Sequence, residues 1–140
     1  MIGDVRGQVV LDLACGEVYN TRILAKKGAQ VVGADFSEKL IEIARQEEAK
    51  KNLGVHYYIT DGMDLRDFSD NYFDLVTCFM ALQDIENYKK AVAEVARVLK
   101  NQRRFIFSIP HPCFETLTIK GKRLNAVDRY FGAVKHTIDW

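Results

Sequence analysis

The sequence predicts an α/β domain built on a parallel β-sheet with helices on both faces. Short apolar runs rich in β-branched residues alternate with stretches whose apolar residues recur at helical spacing. In a chain of 140 residues, enough for one hydrophobic core, that alternation is typical of strands joined by helical crossovers. Ligands of such sheets bind beyond the carboxyl ends of the strands, so the turns that follow the strands are where a site is expected.

Five strands and three helices are predicted along the chain. The first strand covers residues 8–13, and a short helix with Asn20 as its N-cap covers residues 21–27. A second strand at 30–34 precedes a helix at 38–51, for which Ser37 is the expected N-cap. Strands follow at 55–60, 73–79 and 104–109, with a helix at 88–100 before the last one. The apolar face of this third helix is expected to hold Tyr88, Ala91, Val92, Val95 and Leu99.

Composition and charge give no support for several classes of function. The formal net charge is +1, and no basic stripe indicates binding to nucleic acid or to an anionic membrane. No apolar run approaches the length of a membrane span, and residues 1–7 lack the apolar core of a signal peptide, so the cytoplasm is the expected location. The three cysteines and three histidines are scattered without disulfide or metal-ligand spacing.

Acidic residues lie at or just after the carboxyl ends of the first three predicted strands. After Asp12, small residues let backbone N–H groups approach a ligand, but this carboxylate would repel a pyrophosphate and attract an ammonium or a sulfonium, as in S-adenosylmethionine. The dinucleotide fingerprint G-x-G-x-x-G is also absent. Asp35 lies 23 positions further on, a spacing at which acidic residues accept hydrogen bonds from ribose hydroxyls. Asp61 can accept a hydrogen bond from an adenine amino group, and Met63 can pack on the ring.

Five segments, taken in order, resemble the successive motifs of class I S-adenosylmethionine-dependent methyltransferases. They are VVLDLACGE, VVGADFSEKLIEIAR, ITDGMDL, FDLVTCFMALQDIEN, and VLK with RFIFSIPHP, and they cover roughly residues 8–112. The first motif is most similar to the LDLACGEG type of the small-molecule methyltransferases. The resemblance implies a Rossmann-like, doubly wound sheet of five mainly parallel strands in the order 3-2-1-4-5, flanked by helices. It also implies S-adenosyl-L-methionine as cofactor and a small-molecule methyl acceptor.

The same resemblance assigns roles to individual residues. The methionine end of the cofactor is expected at Asp12, Ala14 and Gly16, and the ribose at Asp35. The adenine is expected at Phe36, Asp61, Gly62 and Met63. Phe79 is expected to offer its backbone to the ligand. On the substrate side, Asp84 and His111 are the candidate catalytic bases for an acceptor that must lose a proton. These residues could also have structural roles only: His111 could be a loop residue, and Met63 could pack in the core.

Two positions depart from the family pattern. Val18 stands where the family usually has glycine, and a β-branched residue strongly disfavours positive φ. We therefore expect either a negative φ at this position or weakened cofactor binding. Asn101-Gln102-Arg103 replaces the family's Pro-Gly-Gly before the fifth strand, and Asn101 can take the left-handed conformation that this turn needs.

Chain length is the third departure. The cofactor-binding core is expected at residues 1–110, and residues 111–140 are expected to form an irregular tail with one short strand or helix, contributing part of the substrate region. The family's usual last two strands are expected to be missing, as in a truncated chain or natural fragment. The fifth strand would then be an open edge through which a homodimer could form.

Two rival functions stay open. One is a non-catalytic S-adenosylmethionine-binding or degenerate methyltransferase-like module, in which Val18 and the short tail have removed turnover. The other is a nicotinamide-dependent oxidoreductase, which needs a glycine-rich phosphate loop that the chain lacks. Binding of S-adenosylmethionine, S-adenosylhomocysteine and NAD discriminates between these functions.

Overall fold

The structure is a computed structural model that describes residues 2–110, 116–119 and 122–125. In chain order its strands and helices are β1 (Val9–Leu13), α1 (Tyr19–Lys26), β2 (Gln30–Asp35), α2 (Glu38–Lys51), β3 (His56–Ile59), β4 (Phe73–Phe79), a 3-10 helix (Leu82–Asp84), α3 (Tyr88–Val98), β5 (Leu99–Ser108), β6 (Thr116–Ile119) and β7 (Lys122–Asn125). The chain divides into two compact units, residues 1–109 and 110–140.

Strands β1 to β5 form one parallel sheet in the order β3-β2-β1-β4-β5, which confirms the predicted order. The central strand β1 pairs on both sides, so that Asp12 lies between Gly33 of β2 and Thr77 of β4. The chain runs outward from β1 to β3 and then returns to the other side of β1 as β4. That reversal opens a crevice at the carboxyl ends of β1 and β4, where ligands bind in sheets of this kind.

Side chains of the sheet alternate between two buried clusters, because successive residues of a strand point to opposite faces. Val10 packs in a cluster that includes residues of α1 and α2, whereas Leu11 and Leu13 pack in a cluster that includes residues of α3. Helices therefore cover both faces of the sheet, as the alternation of strands and helices predicts. The two clusters hold β1 in the middle of the domain and fix where its carboxyl end lies.

The first two helices begin differently from one another. At α2 the predicted cap is confirmed, since the Leu40 N–H donates to Ser37 Oγ at 3.4 Å. At α1 the predicted cap is wrong: the helix starts at Tyr19, and Val18 occupies the N-cap position without a side-chain hydrogen bond. The cause is a tight turn in which the Val18 N–H donates to the carbonyl of Cys15 at 2.9 Å, so the chain enters the helix before Asn20.

The third helix and the fifth strand also differ from their predicted bounds. The helix ends at Val98, and β5 begins at once with Leu99, which pairs with Phe73. The register then shifts before Arg104 pairs with Leu75, so the intervening residues bulge out of the strand. Within this bulge it is Gln102, with φ 60°, that takes the left-handed conformation, not the expected Asn101.

The buried face of α3 is narrower than the sequence predicts. Ala91, Val95 and Val98 are buried, whereas Tyr88 and Val92 are exposed, so their assignment to the apolar face is wrong. The buried residues recur at intervals of four and three, which is the spacing of a single helical stripe.

In the second unit, β6 and β7 pair antiparallel, so this region contains two strands where one short element is predicted. Among the described residues, none of the helices has the length and apolar character needed to span a membrane.

Arg97, in the last turn of α3, ties this helix to the segment that follows β3. Its guanidinium donates to the backbone carbonyls of Leu65 at 2.8 Å and Phe68 at 2.9 Å. It also donates to Asp70 at 2.7 Å and to both carboxylate oxygens of Glu94, which in turn accepts from the Leu65 N–H at 2.8 Å. The network fixes the connection between β3 and β4, which begins at the ligand crevice.

Replacing Arg97 by lysine is expected to lower the free energy of unfolding by about 2 kcal/mol. Lysine keeps the charge but lacks the planar fork of donors that reaches two carbonyls and two carboxylates at once. Urea unfolding followed by circular dichroism measures the loss. Arg6→Lys is the matched control, because among the described residues Arg6 pairs with Asp4 alone and its side chain is 79% exposed, so no resolvable change is expected. Equal losses in the two variants would contradict the role given to the network.

Candidate active site

A cavity of about 720 Å³ lies at the carboxyl ends of the central strands. It is lined by the β1–α1 loop, the β2–α2 turn and the segments that follow β3 and β4. Its volume is in the range of small-molecule and cofactor sites. The cavity brings together all nine residues predicted to contact the cofactor, and Asp84 with them: Asp12, Ala14, Gly16, Asp35, Phe36, Asp61, Gly62, Met63 and Phe79. The other candidate base, His111, falls outside the described residues.

Asp12 is a buried carboxylate held by hydroxyl groups. It is 2% exposed, and it accepts hydrogen bonds from Thr21 Oγ1 at 2.5 Å and Thr77 Oγ1 at 2.7 Å. Burial raises the pKa of this carboxyl above its ordinary value of 3.8, because the charged form loses hydration, and the two threonine bonds partly oppose that shift. Neither partner carries a charge. A positive group on a ligand would therefore supply the counter-charge that the side chain lacks.

Asp35 links two turns at the cavity. It is 5% exposed, its Oδ2 accepts from the Gly16 N–H at 2.9 Å, and its Oδ1 accepts from the Ser37 N–H at 2.9 Å. Gly16 has φ 49°, a conformation that glycine adopts without strain. Each carboxylate oxygen can accept more than one hydrogen bond, so Asp35 can hold both turns and still accept from two ligand hydroxyls.

The segment after β3 forms a tight turn on another wall of the cavity. Asp61 Oδ1 accepts from the Met63 N–H at 2.8 Å, and the second carboxylate oxygen can accept from another donor. Gly62 packs closely here, since a Cβ at this position would lie 3.2 Å from Ile85 Cδ1. Phe36, which follows β2, is 80% exposed at the cavity. An aromatic ring this exposed offers apolar surface that a planar ligand could cover.

Three of the six described non-glycine residues with positive φ lie in or beside the loops that line the cavity. Ala14, Val18 and Met80 have φ values of 54°, 57° and 56°, which disfavours any residue with a Cβ. Such strain persists where the surrounding structure fixes it, and it is common at functional sites. The expectation of a negative φ at Val18 is thus wrong, and the alternative, weakened cofactor binding, stays a prediction.

Packing explains how Val18 keeps this conformation. Its side chain is 3% exposed and belongs to the buried cluster that contains Val10 and Leu24. Burying a valine side chain contributes roughly 1.5–3 kcal/mol, which offsets the roughly 1–2 kcal/mol cost of the left-handed conformation.

Sequence reasoning missed three residues of the site. Thr77 is a polar residue within the apolar run at positions 75–79 of β4, and that exception was the available signal for a buried hydrogen-bond partner. Thr21 gave no signal beyond its position in the first turn of α1. Met80 donates its N–H to the Ser108 carbonyl at 2.9 Å and so joins the ends of β4 and β5. Its positive φ is unforeseen because methionine disfavours it.

Cys15 lies in the same loop without the character of a nucleophile. Burial, and next the nearby carboxylates of Asp12 and Asp35, raise the pKa of its thiol, so the thiolate is not formed at neutral pH. Within the part of the chain that the structure describes, no group of three or more His, Cys, Asp or Glu side chains is placed to hold a metal ion.

The parallel sheet in the order 3-2-1-4-5, with carboxylates at the carboxyl ends of its first three strands, has the architecture of the class I S-adenosylmethionine-dependent methyltransferases. Comparison with known proteins agrees with this class. The sequence profile of a family described as "Methyltransferase domain" matches residues 11–107, and the chain belongs to this family.

Individual relatives are similar over most of this chain but are longer than it. The chain is 38% identical over 112 residues to a demethylmenaquinone methyltransferase of Clavibacter sepedonicus, covering 78% of this chain and 45% of that protein. It is 30% identical over 104 residues to a ubiquinone biosynthesis O-methyltransferase of Coxiella burnetii, covering 74% and 44%. The crystal structure of an S-adenosylmethionine-dependent methyltransferase from Mesorhizobium loti matches with a TM-score of 0.74 and 30% identity, covering 92% and 61%. The chain spans about half the length of the curated relatives it matches.

Replacing Asp12 by asparagine is expected to separate ligand binding from stability. The amide keeps the shape and can pair with both threonine hydroxyls, but it carries no charge. Because the folded-state pKa of Asp12 is raised, the stability it contributes is fully present below pH 3.8 and is lost as the pH rises through the folded-state pKa. The variant lacks this loss, so without cofactor it should be the more stable protein at pH 7.

The affinity of Asp12→Asn for S-adenosylmethionine should nevertheless fall about tenfold or more, because a charge-assisted hydrogen bond is lost. Urea unfolding at several pH values and titration calorimetry measure the two effects. A variant that is less stable than wild type at pH 7, or that binds equally well, would refute this account of Asp12.

Substitutions of Val18 are expected to separate backbone strain from packing. Val18→Ala and Val18→Gly both remove the buried methyl groups, but only glycine also removes the strain of the positive φ. The glycine variant should therefore be more stable than the alanine variant by about 1 kcal/mol. Val95 is the control: it is buried in α3, where alanine should be more stable than glycine by about 1 kcal/mol. Calorimetric titration of Val18→Gly with S-adenosylmethionine should give a lower dissociation constant than wild type, and an unchanged constant would remove Val18 as a cause of weakened binding.

Proposed function

We propose that this chain binds S-adenosyl-L-methionine in the cavity at the carboxyl ends of the sheet and transfers its methyl group to a small-molecule acceptor. The observation that carries the proposal is the convergence of Asp12, Asp35 and Asp61, from three successive strand ends, on one cavity. A buried carboxylate without a charged partner suits a cationic group, a carboxylate with free lone pairs suits ribose hydroxyls, and an exposed carboxylate suits an adenine amino group.

The proposed contacts follow the order of the chain. Asp12 and the backbone of Ala14 and Gly16 hold the methionine end, and Asp35 accepts from the ribose. Phe36 and Met63 pack against the adenine from two walls of the cavity, with Asp61 and Gly62 at its edge. The backbone of Phe79 completes the site at the end of β4. These residues fit a cofactor with a positive charge, because every charged side chain among the cavity's described lining residues is a carboxylate.

Positioning is the main task of this chain in the proposed reaction. When bound, S-adenosylmethionine supplies a methyl group activated by its sulfonium. The protein must hold an acceptor atom in line at about 3 Å from that carbon and keep water out. Tyr19, Met80 and Ile85 line the cavity and offer apolar surface to an acceptor. Asp84, which accepts from Gln83 Nε2 at 2.8 Å, can take up an acceptor proton, and His111 is the second candidate base.

We further propose that the acceptor is an aromatic molecule. Two kinds of support point this way: relatives whose names refer to menaquinone and ubiquinone chemistry, and the exposed apolar side chains of Tyr19 and Met80 at the cavity. A planar ring buries large apolar area against such surfaces. A module that binds the cofactor without turnover is the second candidate, favoured by the strained φ of Val18 in the cofactor loop.

Assembly and location are also proposals. We propose a cytoplasmic protein that forms a homodimer through β5, which is an edge strand of the described five-stranded sheet. Unpaired N–H and C=O groups along such an edge can pair with another chain. Light scattering over a range of concentrations tests the association.

Ligand titration tests the proposed function directly. S-adenosylmethionine and S-adenosylhomocysteine should raise the melting temperature, whereas NAD should not. Asp35→Asn should weaken S-adenosylmethionine binding about tenfold or more, because an amide nitrogen cannot accept from the backbone N–H groups or from ribose. Asp67→Asn is the matched control, since Asp67 is exposed and does not line the cavity. Stabilisation by NAD alone would overturn the proposal.

Turnover separates the enzyme from the non-catalytic module. With a hydroxylated aromatic acceptor, release of S-adenosylhomocysteine supports methyl transfer. Cofactor binding without release across an acceptor panel supports the second candidate.

A further inference from the structure

A second, smaller cavity lies beside the outer strand β3. Its volume is about 270 Å³, which is just below the usual range for ligand sites, so it suits only a small molecule. None of the residues that line it also lines the larger cavity at the carboxyl ends of the strands. The lining residues come from α2 and from the chain that enters β3: Arg45, Glu48, Val55, His56, Tyr57 and Tyr58.

Glu48 uses one carboxylate oxygen and leaves the other without a partner. Its Oε1 accepts from the Gly54 N–H at 2.7 Å and from the Val55 N–H at 3.2 Å, which fixes the carboxylate against the turn after α2. Among the described residues, Glu48 Oε2 is the one buried side-chain oxygen or nitrogen that has no hydrogen-bond partner. Such an atom destabilises the folded protein unless a donor reaches it. Glu48 therefore has capacity for one more donor, and the cavity that it lines is where a donor can enter.

Arg45 lies one helical turn before Glu48, on the same side of α2. Its Nη2 donates to the Tyr57 carbonyl at 2.7 Å, which is the one hydrogen bond of this guanidinium within the described part of the chain. Neither Arg45 nor Glu48 forms an ion pair with any described residue, although both line the same cavity. The cavity thus presents a cation and a carboxylate that do not neutralise each other.

The bond from Arg45 also bears on which ligand can bind here. β3 is an edge strand of the described five-stranded sheet, with β2 on one side only. An exposed edge offers its backbone groups to a strand of another chain, but the Tyr57 carbonyl is already covered by Arg45. This arrangement favours a small molecule over an extended peptide as the ligand of the cavity.

We propose that this second cavity binds a small zwitterion of the α-amino acid type, with Glu48 holding its ammonium group and Arg45 its carboxylate. The formal charges of the two side chains cancel, so a ligand that carries both charges is favoured over a cation or an anion alone. An ammonium has three donors for the carboxylate, and a ligand carboxylate matches the planar fork of a guanidinium.

Spacing and surface support the same class of ligand. Side chains one helical turn apart have Cβ atoms about 5–6 Å from each other, and the two charged groups of an α-amino acid are joined through a single carbon, so both can be reached together. Val55 and Tyr58, which is 40% exposed, offer apolar surface to an aliphatic side chain. The inference is independent of the proposed function, because the two cavities share no lining residue.

Heteronuclear NMR titration of the full chain with L-valine tests the site. Binding in the millimolar range is expected for so small a ligand. The amide signals of Gly54 and Val55 should shift, because both N–H groups donate to Glu48. L-Valine methyl ester lacks the carboxylate and N-acetyl-L-valine lacks the ammonium, so each should bind at least about tenfold more weakly. Signals of Gly16 and Gly62 report binding in the larger cavity.

Variants assign the two contacts. Glu48→Gln keeps an oxygen for the Gly54 and Val55 N–H groups but loses the charge, so L-valine should bind about tenfold more weakly and no better than N-acetyl-L-valine. Arg45→Gln should likewise remove the preference for L-valine over its methyl ester. Glu42→Gln is the matched control, since Glu42 is an exposed carboxylate of α2 that does not line the cavity, and it should leave all three affinities unchanged.

Several results would overturn the inference. One is the absence of shifts at Gly54 and Val55 up to the solubility limit of L-valine, and another is a set of shifts confined to Gly16 and Gly62. Equal or tighter binding of the ester or of the N-acetyl derivative to the wild-type protein would exclude a zwitterion as the ligand class. The comparison of the three ligands on the wild-type protein decides even where a variant does not fold. The proposed function stands in each case, since S-adenosylmethionine is assigned to the other cavity.

Discussion

One buried carboxylate joins the parts of this site that the sheet brings together. Asp35 accepts from the backbone of the β1–α1 loop through Gly16 and from the β2–α2 turn through Ser37. Both turns follow strands that are paired in register, so the side chain reaches each of them without distortion of the sheet. A single aspartate at the end of β2 therefore sets the separation between the first two walls of the cavity.

The parts of the fold that local rules determine were predictable from the sequence. The bounds of β4 and α2 and the cap at Ser37 depend on apolar periodicity and on one side chain, which can be read from neighbouring residues. The order of strands was implied by the resemblance to the methyltransferase motifs and confirmed by the structure. The nine cofactor-contact candidates meet in one cavity because each lies at or just after the carboxyl end of a strand, and parallel strands end on the same side of the sheet.

The remaining features depend on contacts between residues far apart in the sequence. Val18 takes a conformation that its own chemistry disfavours because its side chain is buried among residues of other elements. The bulge at Gln102 follows from pairing with β4, which the sequence of β5 does not encode by itself. Thr77, the partner of Asp12, lies 65 positions away along the chain. Such tertiary effects override local propensity, and single-sequence patterns do not carry them.

The network around Arg97 has a consequence for how this protein can change in evolution. Arg97 binds the backbone carbonyls of the connection that contains Asp61 and so holds this connection against α3. The wall of the cavity that Asp61 forms therefore tolerates little variation. The opposite wall, from Met80 to Glu86, consists of a short 3-10 turn with exposed side chains and few long-range hydrogen bonds among the described residues. Substitutions can accumulate there at small cost in stability. Under the proposed function, a lineage could thus acquire new acceptors by altering one wall of the cavity while the cofactor half stays unchanged.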